Sequence, residues 1–209
     1  MDDLVKQALA KWPNVPHCYG WLGLDARGHW RMRDQHAQQQ QLPGDKIAHA
    51  ALLSFSNRNY ARDERGCWFF QNGPQRVYVN LEATPHIARS DPQHGFVLQT
   101  GTPLAVIETA YLCDNGALIL RHDHIAAQVD DRDMAQVLAS LRLDGQALSD
   151  EALLAWLEEE RGNLTLSHGG KEIAVQPLRY GAVPATFGFQ RAPQAEYQLA
   201  IPVHTMFAA

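Results

Sequence analysis

Residues 67–81 read Cys67-Trp68-Phe69-Phe70-Gln71-Asn72-Gly73-Pro74-Gln75-Arg76-Val77-Tyr78-Val79-Asn80-Leu81. Aromatic and β-branched residues crowd both ends and turn formers fill the middle, so the stretch predicts an antiparallel hairpin. Pro74 has no N–H to donate, which argues against a two-residue Asn-Gly turn and predicts a four-residue loop, Asn72 to Gln75. That loop sets Gln71 opposite Arg76, Phe70 opposite Val77, Phe69 opposite Tyr78 and Trp68 opposite Val79. One face then carries Trp68, Phe70, Val77, Val79 and Leu81 and is expected to be core. The other carries Phe69, Gln71, Arg76, Tyr78 and Asn80.

Working outward toward the N-terminus, apolar residues at helical spacing predict a helix from Asp2 to Trp12, stopped by Pro13. Cys18 to Leu24 and His29 to Arg33 flank a turn at Asp25-Ala26-Arg27-Gly28 and predict a second hairpin. Gln35 to Gly44 lacks an apolar period and reads as a surface loop. Lys46 to Phe55, opened by Asp45, is apolar over most of its circumference and predicts a well-buried helix. Arg58, Arg62 and Arg65 follow, where basic residues suit the negative end of its dipole.

Toward the C-terminus, strands are expected at His94 to Thr100, Leu104 to Leu112 and Ala117 to His124. Asn115-Gly116 offers a two-residue hairpin turn that would set Cys113 opposite Leu118, Tyr111 opposite Leu120, Ala110 opposite Arg121 and Thr109 opposite His122. Met134, Val137, Leu138 and Leu141 predict a helix from Asp130 to Gly145, and Ser149 caps a second that runs to Arg161. Strands return at Leu164 to Ser167, Glu172 to Leu178, Thr186 to Gln190 and Tyr197 to Ile201. The expectation is an α+β fold of antiparallel hairpins with about four helices against them. It forms one domain over 1–209, with division near 128 into 1–128 and 129–209 as the alternative, and no internal repeat is evident.

The chain has 209 residues, 45% hydrophobic and 20% charged, with a net charge of −5. This excludes a disordered chain, a disulfide scaffold and a basic phosphate-neutralising protein, and argues against nucleic acid as a partner. The start is acidic rather than basic, no run of 18 apolar residues occurs, and three dispersed cysteines suit a reducing compartment, so a cytoplasmic protein without membrane association is expected. Between Asp130 and Glu160 nine acids face two arginines, a local −7 that leaves +2 elsewhere, and these acids read as solvated helix faces.

No nucleophile elbow, phosphate loop, dinucleotide fingerprint or H-E-x-x-H motif occurs, so no cofactor is named. His168-Gly169-Gly170 reads as a hairpin turn. His122-Asp123-His124 places two imidazoles on one strand face, the raw material of a metal site that lacks a third ligand, since Glu108 and Asp123 would lie on the opposite face. Phe69, Arg76 and Tyr78, with Arg121, are the candidates for holding an anionic or planar ligand; simple packing under a helix is the alternative. Arg27, His29, Arg31 and Arg33 alternate along one strand, but acids flank them. Cys67 and Cys113 sit in apolar strands where thiols are inert.

The segments Cys18 to Leu24 and Trp68 to Val79 resemble those of a family of proteobacterial proteins of unknown function. That resemblance extends over most of the chain, implies a bacterial protein and transfers no catalytic residue. The residues therefore point to a non-catalytic binding or interaction protein, self-associating if its faces leave apolar surface uncovered. The rival is a metal-dependent hydrolase using His122 and His124.

Overall fold

The computed structural model describes residues 1–195. Their first part forms a six-stranded sheet from β1 (Cys18–Leu24), β2 (Trp30–Met32), β3 (Asp45–Lys46), β4 (Tyr60–Arg62), β5 (Trp68–Asn72) and β6 (Gln75–Leu81), in the order β3-β2-β1-β6-β5-β4. A nine-stranded sheet follows, built from β7 (His86–Asp91), β8 (Gly95–Leu98), β9 (Thr109–Cys113), β10 (Leu118–His122), β11 (Ile125–Val129), β12 (Leu141–Leu143), β13 (Gln146–Ala147), β14 (Leu164–His168) and β15 (Lys171–Leu178). Helices α1 (Asp3–Lys11), α2 (Gln35–Gln39), α3 (Ala50–Arg58), α4 (Met134–Leu138), α5 (Asp150–Glu159) and α6 (Val183–Phe187) complete the described residues. The fold is α+β. Its hairpins are joined by parallel pairings, β1 with β6, β7 with β11 and β9 with β15, that local sequence does not announce. No helix among the described residues is long and apolar enough to cross a membrane.

The β5–β6 register is as the sequence predicts, Phe69 with Tyr78, Phe70 with Val77 and Gln71 with Arg76. The loop is shorter than expected, because Asn72 pairs with Gln75 and only Gly73-Pro74 turn. Gly73 takes φ +56°, and the residue after it in a two-residue turn supplies no ladder N–H, so proline is tolerated there. The β9–β10 hairpin differs by one residue. Leu112 pairs with Leu118 and Arg121 with Thr109, because the loop is Asp114-Asn115-Gly116 and the Cys113 N–H donates to the Ala117 carbonyl (2.8 Å). A one-residue slip would put Leu112 and Leu118 out of cross-strand register.

The same three-residue loop recurs twice in the first sheet, in a repeat the sequence holds as Asp-x-Arg-Gly-x-Trp: Asp25 to Trp30 and Asp63 to Trp68. In each, the glycine adopts positive φ (Gly28 +77°, Gly66 +79°) and the aspartate N–H bonds across the loop, to His29 or Cys67. In each, the aspartate Oδ1 accepts two backbone N–H groups, from Arg27 and His29 or from Arg65 and Cys67. Trp30 and Trp68 then flank the Tyr60 ring at 5.2 and 4.7 Å, and the Tyr60 hydroxyl donates to the Pro85 carbonyl (2.9 Å).

Strand alternation now divides the molecule. Leu22, Leu24, Trp30, Trp68, Phe70, Val79 and Leu81 of the first sheet share a core with Cys113, Ile119 and Ala126 of the second and with Val183 and Phe189. The other face of the second sheet buries Ala110, Leu112, Leu118 and Leu120 against Val137 and Trp156 of the helices and Leu164, Leu166, Ile173 and Val175. Each fully buried leucine there contributes about 2 kcal/mol.

Several expectations are corrected. Asp34 Oδ1 accepts the Ala37 N–H (2.7 Å) and turns part of the supposed 35–44 loop into α2. Asp45 and Lys46 are strand, and α3 starts later, at Ala50, with only Ser56 buried and Leu53 and Phe55 half-buried against the shared core. Arg62 and Arg65 sit on β4 and its loop, not at the helix end. His86 to Asp91 is a strand that was missed, while 104–108 lies outside the strands and Leu104 meets β8 by its N–H to the Phe96 carbonyl. The strand expected to reach His124 turns at Asp123-His124 into β11. Leu141 begins a strand where a continuing helix was expected, and Thr186 ends within α6. The strand expected at Tyr197 to Ile201 lies outside the described residues. The acidic segment is not all solvated face: Asp130 is fully buried against Arg132 and Arg89, Asp131 pairs with Arg27 and Asp133 with Arg89. Ser149 caps α5 as expected.

His86 lies edge-on to Trp68 (4.9 Å) and Tyr60 (5.7 Å), and burial together with the charge of His124 pushes its pKa down to about 4. The unfolded chain binds this proton near pH 6.5, so stability is complete above that pH and is lost as pH falls toward 4, by about 3 kcal/mol. Urea unfolding at stepped pH is expected to show this loss, and His86→Leu to remove its own part; the slope that remains belongs to His17 and His168, whose pKa values burial also lowers, and near pH 4 to carboxylates such as Asp130 that the fold holds at a lowered pKa. A second expectation concerns the repeated loop. Asp63→Ala leaves the Cys67 and Arg65 N–H groups and the Tyr78 hydroxyl without their acceptor and should cost about 2–3 kcal/mol, whereas Glu64→Ala, next to it and exposed, should cost under about 0.5 kcal/mol.

Candidate functional site

The face of β5 and β6 turned away from the shared core carries Phe69 and Tyr78, which pack with Cys67, Tyr19 and Ala61 as a small separate cluster. Above it opens a polar cleft of about 1090 Å³ lined by His17, Tyr19, Asp63, Arg65, Arg76 and Tyr78, with Pro16, Arg62, Glu64 and Ala195 at its margins. Strand alternation points Arg76 and Tyr78 this way, and Tyr19 arrives from β1 through the parallel β1–β6 pairing, whose register shifts between Cys18 and Leu22.

The Tyr19 and Tyr78 rings stack at 4.6 Å and 6°, and the His17 ring meets Tyr78 edge-on at 5.6 Å. Arg76 lies over the Phe69 ring at 4.6 Å and Arg65 over Tyr78 at 5.4 Å. Asp63 organises the wall: its Oδ2 accepts the Tyr78 hydroxyl (2.9 Å) and Arg65 Nε (3.2 Å). Burial raises the Asp63 pKa, but the Cys67 N–H, the Tyr78 hydroxyl and Arg65 outweigh it and keep the carboxylate ionised. Arg65 is held protonated by the Tyr19 hydroxyl, then by Tyr78 and Asp63. Burial, followed by the charges of Arg76 and Arg65, lowers the His17 pKa, so the imidazole is neutral at pH 7. Arg76 pairs with no carboxylate among the described residues. The result is an aromatic wall edged by guanidinium groups, one of which lacks a counter-charge, and that arrangement accepts a ring and an anion together.

Of the sequence candidates, Phe69, Arg76 and Tyr78 come together here; Phe69 and Tyr78 are packed among strand residues, with no helix over them among the described residues, and Arg76 and the Tyr78 edge line the cleft. Arg121 is elsewhere, exposed on β10 of the second sheet. His122 and His124 do not share a strand face, because His122 ends β10 and His124 lies in the turn. Their Nδ1 atoms approach different carboxylates, Glu108 (3.3 Å) and Asp123 (2.8 Å). Glu108 reaches His122 because the β9–β10 register differs by one residue from the expected one. No group of three or more His, Cys, Asp or Glu side chains among the described residues is arranged to hold a metal. The basic strand beside β1 is partly neutralised: Arg31 and His29 meet the buried Asp25 at 2.8 and 3.1 Å. Cys113 is fully buried, and burial together with Asp114 pushes its thiol up to about 12. His17, Tyr19, Asp63 and Arg65 were not singled out from sequence, although the repeated Asp-x-Arg-Gly-x-Trp marks the last two.

Among curated proteins none matches the chain significantly. Two solved structures are similar at 13% identity. One is a DUF1285 family protein from Silicibacter pomeroyi DSS-3, with a TM-score of 0.46 over 84% of this chain and 96% of that one. The other is a DUF1285 family protein from Shewanella baltica OS155, with a TM-score of 0.39 over 56% and 88%. Residues 1–194 match the family DUF2944, described as "Protein of unknown function (DUF2946)", and the chain belongs to that family.

Proposed function

We propose that this protein is a non-catalytic, cytoplasmic receptor for a small ligand that combines a planar ring with an anionic group, bound in the cleft over Tyr19 and Tyr78. The observation that carries this reading is Arg76, a guanidinium without a carboxylate partner among the described residues, set beside stacked aromatic rings in a cleft of about 1090 Å³. An acid group of the ligand supplies the counter-charge, and the ring lies against the half-buried Tyr19 and the neutral His17. Among the described residues Cys18, Cys67 and Cys113 form no disulfide with one another, which agrees with a reducing compartment. The core that joins residues 22–189 across position 128 supports one domain over the alternative of two.

Calorimetric titration with three ring-bearing anions, benzoate, pyridoxal 5′-phosphate and adenosine 5′-monophosphate, tests the reading, with adenosine and inorganic phosphate as half-ligands. At least one ring-bearing anion is expected to bind more tightly than either half-ligand, and Arg76→Gln to weaken it about tenfold, as loss of a charge-assisted hydrogen bond should. No binding by any of the three, or binding unchanged in Arg76→Gln, contradicts it.

A further inference from the structure

The cleft does not end at Tyr19. That residue also lines a hollow of about 460 Å³ with Gly20, Arg33 and Gln38, and Arg33, Gln41, Asn80 and Ala192 in turn line a further hollow of about 470 Å³ beside Gly23. The shared walls make one groove that crosses β6, β1 and β2 on the face away from the core.

Two features of this extension are not explained by the fold. Gly23 is in the middle of β1, paired with Arg31 on one side and Asn80 on the other, yet its φ is not in the left-handed region. A Cβ there would meet its nearest neighbours, Arg31 Cβ, Arg33 Cδ and the Asn80 carbonyl oxygen, at 3.6 Å, an ordinary contact. Neither backbone nor crowding requires glycine, and a glycine inside a strand costs about 0.5–1 kcal/mol relative to alanine, so the missing side chain keeps the groove floor open. Arg33 is the second feature. Arg31 and Arg65 are neutralised by Asp25 and Asp63, but Arg33 donates only to the carbonyls of Leu42 (3.1 Å) and Gly20 (3.4 Å) and meets no carboxylate among the described residues. Arg191 lines the same hollow with its guanidinium over the Tyr180 ring at 4.6 Å, its Nε and Nη2 buried and without a well-aligned acceptor among the described residues.

We infer that the ligand is an elongated polyanion of the nucleoside polyphosphate class, its ring against His17 and its chain of acid groups running from Arg76 past Tyr19 and over Gly23 to Arg33. This deepens the reading of the cleft and rests on it. Guanidinium groups in series suit successive phosphates, and a strand glycine lets such a chain lie close to the sheet.

The test is calorimetry, without divalent cations, of adenosine 5′-monophosphate and adenosine 5′-triphosphate against the wild-type chain, Arg33→Gln and Gly23→Leu. The triphosphate is expected to bind at least tenfold tighter than the monophosphate. Arg33→Gln should remove most of that advantage while leaving monophosphate affinity unchanged, which also shows that the variant is folded. Gly23→Leu should do the same by filling the floor. Equal affinity for the two nucleotides, or a triphosphate advantage untouched by Arg33→Gln, overturns the inference while leaving the cleft reading standing. Failure of both nucleotides to bind overturns the inference, and the cleft reading falls with it only if benzoate and pyridoxal 5′-phosphate also fail.

Discussion

The pleat of β6 is the constraint on which the rest depends. Its residues alternate between Val77, Val79 and Leu81, which enter the core shared by the two sheets, and Arg76, Tyr78 and Asn80, which face outward. The Gly73-Pro74 turn fixes this phase by pairing Asn72 with Gln75, and a shift of one residue would bury Arg76 and expose Val77. Parallel pairing with β1 transmits the phase across the sheet, so that Tyr19 stacks on Tyr78 and Gly23 lies beside Asn80. The core and the cleft are thus two sides of one strand.

The aspartate loops hold this arrangement at its rim. Asp25 and Asp63 each satisfy two loop N–H groups with one oxygen and grip an arginine with the other, Arg31 or Arg65. Because both carboxylates are largely buried, each is bound to keep its partners: an unpaired charge there would cost several kcal/mol. The consequence for function lies in which arginines are left over. Arg31 and Arg65 are neutralised internally by these loops, and among the cations without a carboxylate partner that line the groove are Arg76 at one end and Arg33 farther along it.

How far the sequence discloses this depends on the range of each interaction. The Phe69–Tyr78 pairing and the two-faced hairpin are local and were legible, as was the serine cap of α5. The grouping of Phe69, Arg76 and Tyr78 followed from alternation alone. The parallel pairings were not legible, since they join residues about 40 to 65 apart with no local signal, and it is one of these that delivers Tyr19 to the site. The β9–β10 register was missed because Asn-Gly permits both two- and three-residue loops, and only the burial of Leu112 against Leu118 chooses. The strand-face argument for His122 and His124 fails for a separate reason, the Asp123-His124 turn into β11. The Asp-x-Arg-Gly-x-Trp repeat was present in the sequence, but its meaning lies in the geometry, where the two tryptophans flank Tyr60.

The central claim is that the outward face of β6 recognises an anion bearing a ring. Nuclear magnetic resonance of the 15N-labelled chain, observing backbone amides together with arginine Nε–H groups during titration with adenosine 5′-monophosphate, tests it most directly. The account predicts saturable shifts at Arg76 and Arg65 Nε–H and at the amides around Tyr19 and Tyr78. Shifts confined to other surfaces, such as Arg121 and His122 on β10, with the Arg76 signal unmoved at saturation, would contradict it.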